Sequence, residues 1–212
     1  GGVAENFNKS ARYTDSEYFV VEADEYDTAF FDKRSKFIHY HPNVLIINNI
    51  EYDHADIFHD LAAIRAQFHN LVRMLPENAV IVYPLEDEEI QAVISMGCWT
   101  RLEPFSAIEG EWTISGANKG FYNFSVKNNQ KEVGSVKWST IGEHNAMNAL
   151  AAVVAAKNIG IPVDKACEAL SKFKSVKRRL ECIYALKGIR IYDDFAHHPT
   201  AIRESLKALR CA

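Results

Sequence analysis

The sequence predicts an α/β fold: a parallel sheet that carries an antiparallel sub-sheet, followed by the start of a second α/β unit. Apolar runs rich in Val and Ile stop abruptly at polar clusters, as buried strands of a parallel sheet do. Segments of helix length, with apolar residues three and four apart, separate these runs. The stretch 101–138 differs, because its short alternating runs are broken by Gly and Asn, which is typical of antiparallel hairpins.

Strands and helices alternate through the first half of the chain. Buried strands are predicted at residues 18–23, 44–48 and 79–83. A helix is predicted at 60–75, where six apolar residues recur at helical spacing, and Asp56 or Asp60 would cap its start. A further helix at 88–96 is expected to stop at Gly97.

The second half is predicted to be mainly helical, with one strand pair. The helices are at 142–159, 163–173 and 199–209, and the strands at 181–185 and 188–192. Pro199 suits the first turn of the last helix. A basic linker starting at Lys177 is interpreted as a domain boundary, which divides the chain into 1–176 and 177–212. The second piece is expected to be incomplete, because one strand pair and one helix cannot bury a core of their own.

Composition excludes several classes of protein. The 212 residues are 48% hydrophobic and 25% charged, which is ordinary globular composition, and the net charge of -4 provides no basic footprint for nucleic acid. The four cysteines are scattered without a C-x-x-C pair, as in a reduced cytoplasmic protein. No apolar run is long enough to span a bilayer, so no membrane partner is predicted. The start lacks an initiator Met, and we expect the chain to be part of a longer protein.

Acidic clusters follow the first two predicted strands. Glu22 ends the first strand within the run EADEYD, and His54 follows the second within DHAD. Ligands of open α/β sheets bind beyond the carboxyl ends of strands. A carboxylate and an imidazole at neighbouring strand ends are therefore candidate metal ligands, and oxygen ligands of this kind suit Mg²⁺. The alternatives are a solvated acid at Glu22 and a polar capping loop around His54.

Three further motifs follow in the second half. Asn145 and Asn148 share a face at the start of a predicted helix, and a side-chain amide matches the edge of adenine. Arg179 lies in the linker, where it is either a solvated base or a clamp for phosphate. Asp194 follows an apolar strand, where a carboxylate is placed to bind ribose hydroxyls.

These motifs, in this order, resemble the Mur ligase family of ATP-dependent amide ligases of peptidoglycan synthesis. The resemblance covers nearly the whole chain and implies a parallel-sheet nucleotide-binding domain. It implies that Glu22 and His54 hold Mg²⁺, that Asn145 and Asn148 contact adenine, and that Arg179 serves the phosphates. Asp194 corresponds to the family's aspartate that binds ribose or lies at the domain hinge. The catalytic residues would be Glu22, His54 and Arg179.

The resemblance also implies substrates. The long segment 22–42 is similar to the branch that joins UDP-N-acetylmuramate to the tripeptide L-Ala-γ-D-Glu-meso-diaminopimelate, with ATP activating the muramoyl carboxylate as an acyl phosphate. The phosphate-binding loop G-x-x-G-K-[ST] is absent from the 212 residues, and we expect it upstream of Gly1. The piece alone is therefore predicted to be inactive.

Three alternatives stay open. One is the L-alanine-adding ligase of the same family, which uses the same chemistry with a different amine. The second is a metal-dependent phosphohydrolase built on the pairs Asp53-His54 and His197-His198. The third is a nucleotide-binding module without catalytic activity. The hydrolase hypothesis leaves the Asn145–Asn148 pair and Arg179 without a role.

Overall fold

A six-stranded mixed sheet is the centre of this computed structural model, which describes residues 2–211. The strands in that range are β1 Asp27–Ala29, β2 Asp32–Ser35, β3 Val44–Ile46, β4 Val80–Pro84, β5 Arg101–Ser106, β6 Trp112–Ser115, β7 Asn123–Asn128, β8 Lys131–Lys137, β9 Glu181–Leu186 and β10 Ile189–Asp193. The helices are α1 Leu61–Met74, α2 Glu88–Ser95, α3 Glu143–Asn158, α4 Val163–Ser171 and α5 Pro199–Cys211, with a 3₁₀ helix at Lys36–His39.

The central sheet has the order β3-β4-β5-β6-β7-β8. The pairs from β3 to β6 are parallel, and those from β6 to β8 are antiparallel. The predicted α/β class with an antiparallel sub-sheet is thus confirmed. Sequence patterning did not separate β5 from the hairpins, because Glu103 and Pro104 interrupt its apolar run. Glu103 is nevertheless buried, and its carboxylate accepts a hydrogen bond from Nε1 of Trp112 at 3.1 Å.

Helices cover both faces of the sheet. On one face α1 and α2 pack Leu71, Val72 and Ile90 against Ile81 of β4. On the other face, α3 packs small and branched side chains onto the sheet, and six of its residues are buried: Ala146, Ala149, Leu150, Ala151, Val153 and Val154. Fully burying an aliphatic side chain such as Leu or Val stabilises the fold by roughly 1.5–3 kcal/mol. The two layers therefore fix the ends of β3 and α3, where the polar motifs lie.

Local capping explains where two helices begin. The Asp60 carboxylate accepts a hydrogen bond from the N–H of Ala63 at 2.8 Å, and Asp87 accepts one from Ile90 at 2.9 Å. Each bond satisfies an amide that the helix itself leaves without a partner. Of the two caps proposed for the first helix, Asp60 is therefore the one used.

The prediction of a buried strand at residues 18–23 is wrong. The segment is not paired into any sheet, and Phe19 and Val20 are 74% and 91% exposed. Tyr18 instead donates a hydrogen bond to the carbonyl of Ile159, at the end of α3. An apolar run forms a strand only where a neighbouring strand offers its backbone groups, and periodicity cannot identify that neighbour.

The C-terminal strand pair and helix are confirmed. β9 and β10 form an antiparallel hairpin, and Lys187 and Gly188 at its tip both have positive φ, at 49° and 82°. Positive φ at both central residues is the geometry that tight hairpins favour. Within residues 2–211, no helix combines the length and apolar content needed to cross a membrane.

Candidate active site

His54 lies in a tight turn beyond β3, beside the acidic segment 22–27. Its Nε2 is 2.7 Å from Oε1 of Glu25, and its ring packs on Tyr26 with the centroids 4.3 Å apart. The backbone carbonyl of His54 accepts hydrogen bonds from the N–H groups of Ile57 and Phe58, and the φ of His54 is 56°. Hydrogen bonds to its backbone and contacts to its ring thus fix the position of His54.

Negative charge accumulates around this histidine. Burial, followed by the carboxylates of Asp56, Asp53, Asp24 and Glu25, raises the pKa of the Tyr26 phenol. Burial acts to raise the pKa of Asp24, but its bonds with the Tyr26 N–H and the Lys36 ammonium outweigh this, so that its pKa is lowered. A cluster of carboxylates around a phenol and an imidazole favours a cation.

The structure brings Glu25, not the predicted Glu22, into contact with His54. Glu22 lies three residues earlier on the same segment and is exposed. Within residues 2–211 no group of three or more His, Cys, Asp or Glu side chains forms a ready metal site. Such a group is not required for Mg²⁺, which takes one or two carboxylates and completes its shell with water and substrate phosphates. The donors present fit that mode of binding.

The four predicted nucleotide residues line one cleft of about 950 Å³. Asn145 and Asn148 reach it from α3, Arg179 from the linker and Asp194 from the end of β10. The cleft also includes Glu25, the residue in contact with His54, whereas Glu22 and His54 themselves do not line it. Residues more than a hundred positions apart therefore meet in one space.

A second cleft, of about 620 Å³, adjoins the first. Both clefts are lined by Thr140, Asn145, Ser175, Arg179 and Leu180, so they meet at the start of α3 and the linker. The Nδ2 group of Asn145 donates a hydrogen bond to the carbonyl of Ile141 at 2.7 Å, which orients its amide at this junction.

The linker is tied to the C-terminal piece by Asp194. Its carboxylate accepts hydrogen bonds from the N–H groups of Leu180 and Ala196, both at 2.7 Å, and from the hydroxyl of Ser205 at 3.3 Å. Non-glycine residues with positive φ mark the linker: Ser175, Arg178 and Leu180. Asp194 therefore stabilises a strained turn, in addition to lining the cleft.

We expect Asp194→Ala to lower the free energy of unfolding by about 2 kcal/mol, because two charge-assisted hydrogen bonds from backbone amides are lost. Hydrogen exchange should also accelerate at the amides of Leu180 and Ala196. The matched control is Asp193→Ala, which removes only an exposed pair with Arg178 at 3.3 Å and should cost about 1 kcal/mol or less. Equal effects of the two substitutions would contradict this assignment.

Sequence reasoning missed two contacts that join the loop after β3 to α5. The Thr200 hydroxyl donates to Oε2 of Glu51 at 2.7 Å, and Nδ1 of His198 lies 3.4 Å from the same carboxylate. The sequence signal that could have indicated these contacts was a second acidic residue, Glu51, in the run that ends at His54. At the other end of the helix, Lys207 pairs with Glu143 at 2.9 Å.

His144 is a partly buried imidazole in the first cleft. Burial lowers its pKa, and the carboxylates of Glu204 and Asp194 oppose that shift only in part. Because the folded pKa lies below the unfolded value, the unfolded chain binds the proton first as pH falls. The cost of this histidine to stability therefore grows as pH falls from about 6.5 to its folded pKa, stays at that size at lower pH, and is absent above the window.

We expect His144→Gln to reduce the pH dependence of stability in that window. Urea unfolding between pH 7.5 and 5 should show the wild type losing more free energy of unfolding than the variant as pH falls. His59→Gln is the control, because this histidine is 84% exposed at its side chain. Parallel pH profiles for the wild type and His144→Gln would contradict the assignment.

The sequence of this chain matches a known protein family. Residues 2–156 match the Mur ligase middle domain. The chain is 47% identical over 210 residues to the UDP-N-acetylmuramate–L-alanyl-γ-D-glutamyl-meso-2,6-diaminoheptandioate ligase of Haemophilus influenzae, covering 99% of the chain and 46% of that protein. It is 34% identical over 200 residues to a UDP-N-acetylmuramate–L-alanine ligase of Caldicellulosiruptor bescii, covering 92% and 42%.

A solved structure agrees with the sequence relatives. The crystal structure of the UDP-N-acetylmuramate:L-alanyl-γ-D-glutamyl-meso-diaminopimelate ligase from Neisseria meningitides matches this structure with a TM-score of 0.75 at 48% sequence identity. The match covers 84% of this chain and 57% of that one. The chain spans about half the length of the curated relatives it matches. From the match to the middle domain and the identity to these ligases, the chain belongs to the Mur ligase family.

Proposed function

We propose that the protein to which this chain belongs is an ATP-dependent ligase that joins UDP-N-acetylmuramate to L-Ala-γ-D-Glu-meso-diaminopimelate during peptidoglycan recycling. The observation that carries the proposal is the convergence of Asn145, Asn148, Arg179 and Asp194 on one cleft beside the acidic cluster at His54. The higher identity to the tripeptide ligase, 47% against 34% for the alanine ligase, favours the tripeptide as the amine substrate.

In this proposal the muramoyl carboxylate attacks the γ-phosphorus of ATP, and ADP leaves. The product is an acyl phosphate, which the peptide amine attacks with loss of inorganic phosphate. Transfer of a phosphoryl group is accelerated mainly by positioning and by positive charge. The residues of this chain therefore act by holding and orienting groups.

Glu22 and His54 are the proposed Mg²⁺ ligands, and Glu25 orients the imidazole through its 2.7 Å contact. When bound, the cation neutralises phosphate oxygens. The Glu25 carboxylate fixes which imidazole nitrogen carries the proton, as outer carboxylates commonly do for ligand histidines.

The nucleotide is proposed to lie along the shared edge of the two clefts. Asn145 and Asn148 contact the base, and the Arg179 guanidinium serves the phosphates as a bidentate donor. Phe195 lies against this arginine, with the guanidinium carbon 5.7 Å from the ring centroid. Asp194 holds the linker and serves as the ribose or hinge aspartate.

Two further features belong to the proposal. Residues 177–212 are the start of a C-terminal ligase domain, and the boundary lies in the strained linker. The 212 residues lack the G-x-x-G-K-[ST] loop, so the piece alone should not turn over ATP. The complete protein is proposed to act in the cytoplasm, where its nucleotide substrates are made.

The phosphohydrolase alternative has less support. His197 contacts the backbone carbonyl of Phe195, and His198 contacts Glu51 and the carbonyl of Tyr52. Within the part of the chain that the structure describes, these histidines form no metal-ligand group with His54. The hydrolase hypothesis also leaves Asn145 and Asn148 without a function.

The test is an assay of ADP and phosphate release by the complete protein. It should depend on ATP, Mg²⁺, UDP-N-acetylmuramate and the tripeptide together, with ligated product seen by mass spectrometry. Product with L-Ala but not with the tripeptide would favour the alanine-adding ligase. ATP hydrolysis that needs neither acceptor would favour the hydrolase.

A further inference from the structure

Two buried hydroxyls lack a hydrogen-bond partner in the part of the chain that the structure describes. They belong to Thr100 and Thr140, which are 5% and 9% exposed. A buried hydroxyl without a partner costs stability, so a native protein usually retains one for a reason. The two threonines differ in their surroundings.

Thr140 lies where the two clefts meet, and Thr100 lines neither of them. Thr140 is in the loop between β8 and α3, five residues before Asn145 in the chain. Threonine has three staggered positions about its Cα–Cβ bond. Rotation about this bond moves the hydroxyl among three positions, and its present buried position without a partner is one of them.

The second cleft has features that suit a planar base. Tyr122 and Tyr192 line it, and bases stack on aromatic side chains. Asn145 has one amide hydrogen committed to Ile141, which leaves its oxygen and one hydrogen for a ligand. A hydroxyl is both donor and acceptor, so Thr140 supplies what a base edge requires besides Asn145.

We propose that the Thr140 hydroxyl is a specificity-determining hydrogen-bond partner of the nucleotide base at the junction of the two clefts. This inference rests on the proposed nucleotide site. It places the base where Thr140 and Asn145 line both clefts, with Asn148 reaching it from the first cleft, and the phosphates toward the acidic cluster. Lys174, Lys177 and Arg190 also line the second cleft, so a phosphate subsite there is the competing outcome of the test.

The experiment is titration calorimetry of the complete protein with two probes, ADP and inorganic tripolyphosphate. Thr140→Val keeps the shape of the side chain and removes the hydroxyl. It should raise the Kd for ADP about five- to tenfold, the effect of one lost hydrogen bond, and leave the Kd for tripolyphosphate within about twofold. Thr140→Ser retains the hydroxyl and should bind ADP within about twofold of the wild type.

Thr100→Val is the matched control, because it removes the other unpartnered hydroxyl. Both valine variants should melt at or above the wild-type temperature without ligand, which shows that a loss of ADP affinity is not a loss of folding. The inference is overturned if Thr140→Val binds ADP like the wild type, if Thr100→Val weakens ADP equally, or if tripolyphosphate affinity falls in step with ADP. A wild type that binds no ADP would instead overturn the proposed function, and this inference with it.

Discussion

Replacing His54 by alanine is expected to lower the ligation rate of the complete protein by about 100-fold or more, since removing even the outer partners of a metal ligand commonly costs 10–100-fold. The reason is the loss of a proposed Mg²⁺ ligand in a cluster whose carboxylates would then repel the phosphates. The half-saturating Mg²⁺ concentration should rise as the rate falls. Both quantities come from steady-state ADP release measured across a Mg²⁺ series.

His59→Ala is the control for this substitution, because it removes an imidazole five residues away that is 84% exposed at its side chain. Its rate should match the wild type. Glu22→Gln should raise the Mg²⁺ requirement as His54→Ala does, whereas Glu25→Gln should have a smaller effect, since its proposed role is to orient His54. Intact ligation in both Glu22→Gln and His54→Ala would refute the metal assignment.

Gly142→Ala is expected to lower the free energy of unfolding by about 3 kcal/mol, the sum of backbone strain and overpacking. Gly142 has φ of 96°, and an added Cβ would lie 2.7 Å from the Cβ of Ala208 on α5 and 2.8 Å from the ring of His144. The backbone of α3 and the side chain of α5 therefore have no room for a methyl group. Urea unfolding measures the change.

Gly160→Ala separates the two contributions. Gly160 also has positive φ, at 87°, but no atom lies within 4 Å of the position its Cβ would take. It should cost about 1 kcal/mol from strain alone. Adding Ala208→Gly to Gly142→Ala should restore part of the loss, because the clashing methyl is removed. Equal costs at both glycines would show that α5 does not pack on the start of α3 as described.

Sequence patterns were sufficient for most helices and strands. The helix α1, its Asp60 cap and the strand β4 are confirmed, because periodicity and capping are local properties. The segment 18–23 has the same apolar pattern and is not a strand, because no sheet edge pairs with it. The parallel strand β5 was hidden by Glu103, whose burial depends on Trp112 and Lys157 from other elements.

The candidate site was likewise predictable from the sequence only in part. The motif residues Asn145, Asn148, Arg179 and Asp194 were identified from their types and order, and they line one cleft. Their roles toward a nucleotide stay predictions. The contact of Glu25 with His54, and the position of Thr140 between two clefts, depend on how distant segments meet.

The sequence by itself determined the α/β class, most of the helices and strands, and the candidate residues of the site. Each of these depends on side-chain type and on periodicity over one element. Only the tertiary structure decided which carboxylate contacts His54, that Asp194 hydrogen-bonds to the linker, and that α5 packs against Gly142. The physical reason is that these contacts join segments far apart in the chain, and their geometry follows from packing, which no local pattern encodes.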